Sequence, residues 1–272
     1  YRLQQAGHDV TVFEAGAAIG GRTSTVVKNG YSIDTGATLV ADDYHDYKSL
    51  IAELGIAKDV EPSVSAWFGI YRDARIHNLD GNHLLLSGLR TPLLSWRAKL
   101  RFTRVVIDVL RAKRAGMLEF ADIAKAAPLD DETAHEYALR RLDSELANYV
   151  VDPAVRAMIV ADADKITKVE LFSGLVNLLG AIYCGVKGGV ELLPRTLAER
   201  VTVRVNRTVE SVQLNGTGVD VSWRENGASM RAQVDACIVA SPLPDALDIC
   251  PDNASLRKLA KSLQFLKVIT VA

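Results

Sequence analysis

Cysteine is scarce and scattered in this sequence: Cys184, Cys237 and Cys250 are the only three. An odd, widely spaced set with no metal-ligand spacing argues against a disulfide framework. It points to reduced thiols in a cytosolic setting, with small buried hydrophobes as the plainer reading of each. Histidine is no better organised. His8, His45, His77, His83 and His135 form no i,i+4 pair and no Cys-linked cluster, so no metal site is expected. Charge of one sign is missing too: 32 Lys and Arg against 33 Asp and Glu leave a net −1, which gives nucleic acid no overall attraction. No apolar run reaches the roughly 18 residues that span a bilayer. No internal repeat, low-complexity tract, Ser-His-Asp set or Cys-His set is visible. The N-x-S/T triplets at Asn206, Asn215 and Asn253 stand without a secretory signal and read as chance matches. What remains is a chain of 272 residues, 49% hydrophobic and 24% charged, with an ordinary globular balance and length enough for two domains.

The informative stretch is "VTVFEAGAAIGGR", residues 10–22. Val10-Thr11-Val12-Phe13 is a short β-branched and aromatic run. Gly7-His8-Asp9 before it reads as a helix stop and a turn, so residues 1–6 are expected to end a helix. Helix, glycine, strand and then an acid is the second half of a βαβ nucleotide-binding unit, in which the acid at the strand tip, here Glu14, accepts a ribose hydroxyl. The glycine fingerprint of such a unit belongs about 20 residues earlier. That distance falls before Tyr1, and the chain opens on Tyr rather than Met, so the pattern predicts a piece of a longer protein. Gly20 and Gly21 let the backbone pass close to a bulky anion with N–H groups turned inward, and Arg22 beside them matches phosphate oxygens in a bidentate contact.

With its acid, spacer and Gly-Gly-Arg in that order, "EAGAAIGGR" resembles the amine oxidase and protoporphyrinogen oxidase superfamily of FAD enzymes. Further stretches carry the resemblance over most of the chain. "GYSIDTGA", residues 30–37, is similar to the family's return strand. Residues 93–102 and 131–167 resemble the helical insert of protoporphyrinogen-oxidase-like members. "GGVELLPRTLAERV", residues 188–201, resembles the helix that re-enters the flavin domain, and "DACIVASPLP", residues 235–244, the strand that ends beside the cofactor.

The resemblance implies FAD as cofactor, a small-molecule substrate and oxidoreductase chemistry. It implies an α/β fold in which a discontinuous Rossmann-like FAD-binding domain carries an inserted, mostly helical substrate domain. The expected divisions are 1–60 and 186–250 for the flavin domain, 61–185 for the insert and 251–272 for a return toward it. The implied cofactor shell is Glu14 on ribose, Gly20, Gly21 and Arg22 near the pyrophosphate, Gly36 where backbone approaches the flavin, and Val209 offering its main chain to adenine. Asp34 is read first as fixing its own Asp-x-Gly turn. The family's glycine loop and last flavin-binding segment are expected outside the sequence, and no catalytic residue is named. Carotenoid desaturases, sugar mutases and non-enzymatic prenyl-protein chaperones share the same motifs or fold.

Local signals place the remaining elements. Residues 47–54 with Gly55 as stop predict a helix, and residues 66–86 short strands around turns at Arg72-Asp73 and Asp80-Gly81-Asn82. Residues 91–183 read as mostly helical, with starts at Asp131 or Thr133, at Asp152 and at Thr167. Strands are expected at 202–205, 209–214 and 219–224, with Asn215-Gly216 and Asn226-Gly227 as turns, and a buried parallel strand at 236–240. Between Arg90 and Leu118 there are eight basic residues, Arg90, Arg97, Lys99, Arg101, Arg104, Arg111, Lys113 and Arg114, against the single acid Asp108. Interleaved with apolar residues, they describe either a solvated basic face over a core stripe or a helix lying on an anionic membrane.

Overall fold

The computed structural model describes residues 1–38, 40–42, 44–62, 67–178, 182–263 and 265. It divides into two compact units. Tyr1–Val40, His45–Glu61 and Gly185–Ala272 make the first, and Ala41–Tyr44 with Pro62–Cys184 the second.

In the first unit the helix Arg2–Gln5 stops before Gly7, at φ +90°, and the strand Thr11–Phe13 follows. That strand runs parallel to Thr202–Arg204, with Thr11 opposite Thr202 and Phe13 opposite Arg204. Thr25–Lys28 and Tyr31–Asp34 form an antiparallel hairpin turned by Asn29 and Gly30, at φ 54° and 82°. These are the left-handed values that a tight hairpin turn demands. A three-stranded antiparallel ribbon comes from Thr208–Leu214, Val219–Glu225 and Ala228–Val234. Its buried face is Val219, Val221 and Trp223, with Phe13, Val209, Val212 and Ala232 packed against them. Phe13 and Trp223 meet at 4.8 Å between ring centroids, which fastens the parallel pair to the ribbon.

One strand forms that the sequence pattern does not announce, and one expected strand does not form. Ala228–Val234 is a strand although "ASMRAQV" has little β-branched content. It is held by pairing with Val219–Glu225 and by the ion pair of Arg231 with Asp220 at 2.6 Å. Conversely, the apolar residues 236–240 form no strand and are not buried, Ile238 being 74% exposed. Among the described residues no strand lies beside them, and an apolar run with no neighbour on either edge has no ladder to join. Part of the expected return toward the second domain, residues 264 and 266–272, lies outside the described residues.

The second unit is mostly helical. Its strands Trp67–Arg72 and Arg75–Asp80 form a hairpin turned by Asp73 and Ala74, at φ 51° and 57°, while residue 66 lies outside the described residues. Residues 84–86, expected as strand, begin the helix Leu84–Arg90 instead, because a leucine run favours helix over strand and Ser87 Oγ accepts the Asp80 N–H at 3.0 Å. Ser95 caps the long helix Trp96–Arg114 by accepting the Ala98 N–H. A capping box of Thr133 and Glu136 opens Ala134–Arg141. Thr167 accepts the Val169 N–H at the start of Lys168–Leu178. Asp152 is no fresh start, since Asp152–Ile159 continues directly from the π-helical turn Ala147–Val151. These helices share one core that includes Ala98, Val105, Tyr137, Leu146, Phe172 and Leu175. Glu145 accepts from the Ser95 N–H at 2.9 Å and from Arg72 at 2.6 Å, so one carboxylate ties the hairpin to the long helix.

The acid expected to stand alone on the basic helix is committed inside this unit. Asp108 accepts two bonds from Arg141, at 2.8 and 3.1 Å, and one from Tyr137 Oη at 3.0 Å. The Arg141 guanidinium, aided by the phenol, holds the Asp108 carboxyl below its usual range. Burial and that carboxylate push the Tyr137 phenol far up. A carboxyl depressed in the folded state stabilises the fold above its unfolded pKa near 4, and that contribution is lost as pH falls through the folded value. Asp108→Asn is therefore expected to lower the melting temperature by several degrees at about pH 7, with the deficit closing as wild type is acidified below the unfolded carboxyl's pKa and on through the depressed folded one. A deficit that stays constant over that range would show that packing, not the charge, is what was lost.

Candidate functional site

The site builds from the tip of the parallel strand. Glu14 follows Phe13; its N–H donates to Arg204 O at 3.0 Å and its carbonyl accepts the Arg207 N–H at 2.9 Å. The strand end is thereby stitched to both sides of the 205–206 turn. Glu14 Oε1 accepts the Gly16 N–H at 2.6 Å, which aims the carboxylate along the loop. Among the described residues its second oxygen carries no hydrogen bond, and this is the oxygen free for a diol. Arg207 braces the turn by donating to Val205 O at 3.2 Å and pairing with Glu225. Val209 lies just beyond, opposite Trp223 in the ribbon and beside a register shift, with its side chain packed in the cluster that holds Phe13. The structure thus brings Glu14 and Val209 to one strand end.

The second part is the loop from Gly20 to Thr25. Gly20 at φ +108° and Gly21 at φ +51° are in left-handed backbone that strains any residue with a side chain. A Cβ at Gly21 would meet nothing within 4 Å, so the space in front of that backbone is open. A 3₁₀ turn, Gly21–Thr23, follows, with the Thr23 N–H and Oγ1 both donating to Gly20 O at 2.8 Å. Arg22 is exposed, and among the described residues its guanidinium has neither an ion-pair nor a hydrogen-bond partner. An uncompensated guanidinium beside open glycine backbone suits a phosphate, which such a fork binds through two oxygens.

At Gly36 backbone runs hard against backbone. A Cβ there would lie 2.0 Å from Arg22 O, so the close backbone approach is to the loop itself, and the Ala37 N–H donates to Arg22 O at 2.9 Å. Asp34 does not fix its own Asp-x-Gly turn as expected; among the described residues its carboxylate takes its bonds from elsewhere. Its Oδ1 accepts from Thr25 Oγ1 at 2.6 Å and from the Val190 N–H at 3.0 Å.

Sequence reasoning missed the residues on the other flank of the loop. Gly189, at φ +98°, presses on Thr25 so closely that a Cβ would sit 2.2 Å from its side chain, and Glu191 Oε2 accepts the Thr25 N–H at 2.9 Å. The signal available was the Gly188-Gly189 doublet, which marks a close approach but not its partner. All of these residues belong to the first unit. A carboxylate with one oxygen unbonded, open glycine backbone and an unpaired guanidinium are groups whose chemistry suits a dinucleotide such as FAD.

The chain is 22% identical to protoporphyrinogen oxidase 2, chloroplastic/mitochondrial, of Arabidopsis thaliana, over 89% of this chain and 54% of that protein. It therefore spans about half the length of that curated relative. Wild-type putrescine oxidase bound to putrescine superposes with a TM-score of 0.75 at 22% identity, over 95% of this chain and 59% of that one. Cyclohexylamine oxidase from Brevibacterium oxydans IH-35A superposes with a TM-score of 0.71 at 19% identity, over 95% and 59%. At this identity the two structures speak to the α/β fold alone. The model of one family matches residues 1–272, and the chain belongs to that family, the flavin containing amine oxidoreductases.

Proposed function

We propose that the protein is an FAD-dependent oxidoreductase that takes a hydride from a C–H bond of a small organic substrate, in the manner of a protoporphyrinogen oxidase or an amine oxidase. The observation that carries this reading is the open Gly21 backbone beside Arg22, whose guanidinium is unpartnered among the described residues, on the same unit as Glu14. Bound flavin supplies a two-electron acceptor, which leaves the protein to bind, orient and exclude water. Glu14 would hold the ribose hydroxyls, Gly20, Gly21 and Arg22 the pyrophosphate, and the Val209 main chain the adenine. The mostly helical second unit is the substrate domain in this reading. A prenyl-protein chaperone of the same fold has no phosphate to hold, and an uncompensated Arg22 would serve nothing there. A polyene desaturase or a sugar mutase would use the same cofactor shell.

A second reading concerns where substrate is met, and it rests on the long helix. Trp96–Arg114 has two apolar faces. Ala98, Val105, Val109 and Ala112 enter the core, while Trp96, Leu100, Ile107 and Leu110 project on the opposite side, 67%, 60%, 44% and 46% exposed. The basic residues are not all solvated, as the bare charge pattern suggests. Arg101 pairs with Asp143 at 2.7 Å, Lys99 donates to Leu89 O and Thr91 O, and Arg104 donates to Arg141 O. Arg97, Lys113 and Arg114 have no carboxylate partner among the described residues and flank the outer apolar face. No described helix is long and apolar enough to cross a membrane. An apolar stripe flanked by unpaired cations fits peripheral contact with an anionic bilayer.

Expressed from its full coding sequence, the protein is expected to purify yellow with non-covalent FAD. Arg22→Ala combined with Glu14→Ala should release it, each substitution deleting a polar contact worth on the order of 1–3 kcal/mol. A colourless wild type that gains no flavin on reconstitution would favour the chaperone class. Anaerobic mixing with a porphyrinogen, a set of amines and a polyene should bleach the flavin with one class alone; bleaching by none would favour the mutase. On vesicles, wild type should bind anionic lipid at low salt and release as salt shortens the Debye length. Leu100→Ser with Arg97→Glu and Lys113→Glu should abolish that binding at unchanged flavin content, and a wild type that ignores such vesicles removes the membrane reading.

A further inference from the structure

The loop that presents Gly21 and Arg22 is held from two sides. On one side the return strand grips its backbone: Ala37 N–H on Arg22 O at 2.9 Å, Thr35 N–H on Ser24 O at 3.0 Å, and Ser24 Oγ against Thr35 Oγ1 at 2.7 Å. On the other side stands the Gly189-Val190-Glu191 turn. Thr25 is the point where the two grips meet. Its hydroxyl donates to Asp34 Oδ1 at 2.6 Å and accepts the Glu191 N–H at 3.2 Å, while its own N–H goes to Glu191 Oε2 at 2.9 Å. Asp34 closes the ring by accepting the Val190 N–H at 3.0 Å. Glu191 Cγ also lies 3.3 Å from where a Cβ on Gly20 would be, so the side chain that holds Thr25 backs the first glycine as well.

We propose that Glu191 is a positioning residue for the pyrophosphate loop, fixing through Thr25 the backbone that Gly20, Gly21 and Arg22 present to FAD. The proposal rests on the cofactor reading above. Its physical core is that a left-handed Gly-Gly stretch has high conformational freedom, and anion binding by such a stretch needs that freedom removed in advance. Glu191 removes it at one end and the Gly36 approach to Arg22 at the other. A carboxylate is otherwise a poor neighbour for a pyrophosphate, since its charge repels the ligand. Both Glu191 and Asp34 are turned into the Thr25 ring as acceptors. It follows that the acceptor oxygen, not the charge, is what the loop uses.

That distinction sets the test, on protein expressed from its full coding sequence and stripped of flavin. Glu191→Ala is expected to bind FAD about tenfold more weakly than wild type, whereas Glu191→Gln, which keeps an acceptor oxygen and loses the charge, should bind as tightly as wild type or more tightly. Melting of the flavin-free proteins should differ less between Glu191→Ala and wild type than melting of the FAD-saturated ones. Should Glu191→Ala fail to fold, Thr25→Val, which removes the hydroxyl shared by Asp34 and Glu191, should show the same weakening. Wild-type affinity in both Glu191→Ala and Thr25→Val would overturn the proposal, as would equal weakening in Glu191→Ala and Glu191→Gln. A wild type that takes up no FAD at all would overturn the cofactor reading itself, a result distinct from unchanged binding in the variants.

Discussion

The parallel pairing of Thr11–Phe13 with Thr202–Arg204 is the contact on which the candidate site depends. Parallel strands cannot be joined by a tight turn, so their pairing brings together segments that lie far apart in sequence. Here it sets Glu14 at a strand tip, hands its carbonyl to Arg207 and directs the chain into the ribbon that carries Val209. Phe13 then packs on Trp223 and locks that register. A slip of one residue would turn Phe13 out of the cluster and move Glu14 off its place.

The two units are held together internally by different means. The second has a large helical core in which side chains such as Leu146 and Ala98 are fully shielded. In the first, the described apolar cluster is small, built on Val219, Val221 and Trp223. Order around the Gly20–Thr25 loop comes instead from hydrogen bonds of Thr25, Asp34 and Glu191 and from two glycines at which a Cβ would not fit, Gly36 and Gly189. Such polar locks hold geometry well and add little net stability each. A ligand that binds the folded unit would therefore add a large share of its stability by mass action.

Local features were readable in the sequence because local physics makes them. The Gly7 stop, the strand ending at Phe13, the Asn226-Gly227 turn and the Thr133–Glu136 capping box each follow from residues within a few positions of one another. What escaped depends on partners far along the chain. Thr25 and Glu191 are 166 residues apart and Asp34 and Val190 are 156 apart, and nothing near any of them announces the other. Residues 236–240 failed in the opposite sense. Their apolar run has the local form of a buried strand, yet among the described residues no neighbour exists to bury it. The basic helix was legible as a charge pattern only; that Arg101 and Arg104 serve the fold while Arg97 and Lys113 have no carboxylate partner among the described residues is a fact of packing.

The proposed function stands or falls with a dinucleotide lying along the first unit from Glu14 to the Gly20–Arg22 loop. Amide hydrogen exchange of the protein, expressed from its full coding sequence, with and without FAD, tests it most directly. Exchange is expected to slow at Gly16, at Gly20 to Arg22 and at Val209 when FAD is added, with the helix Trp96–Arg114 unchanged. Protection confined to the second unit, or none at these amides while FAD stays bound, would contradict it.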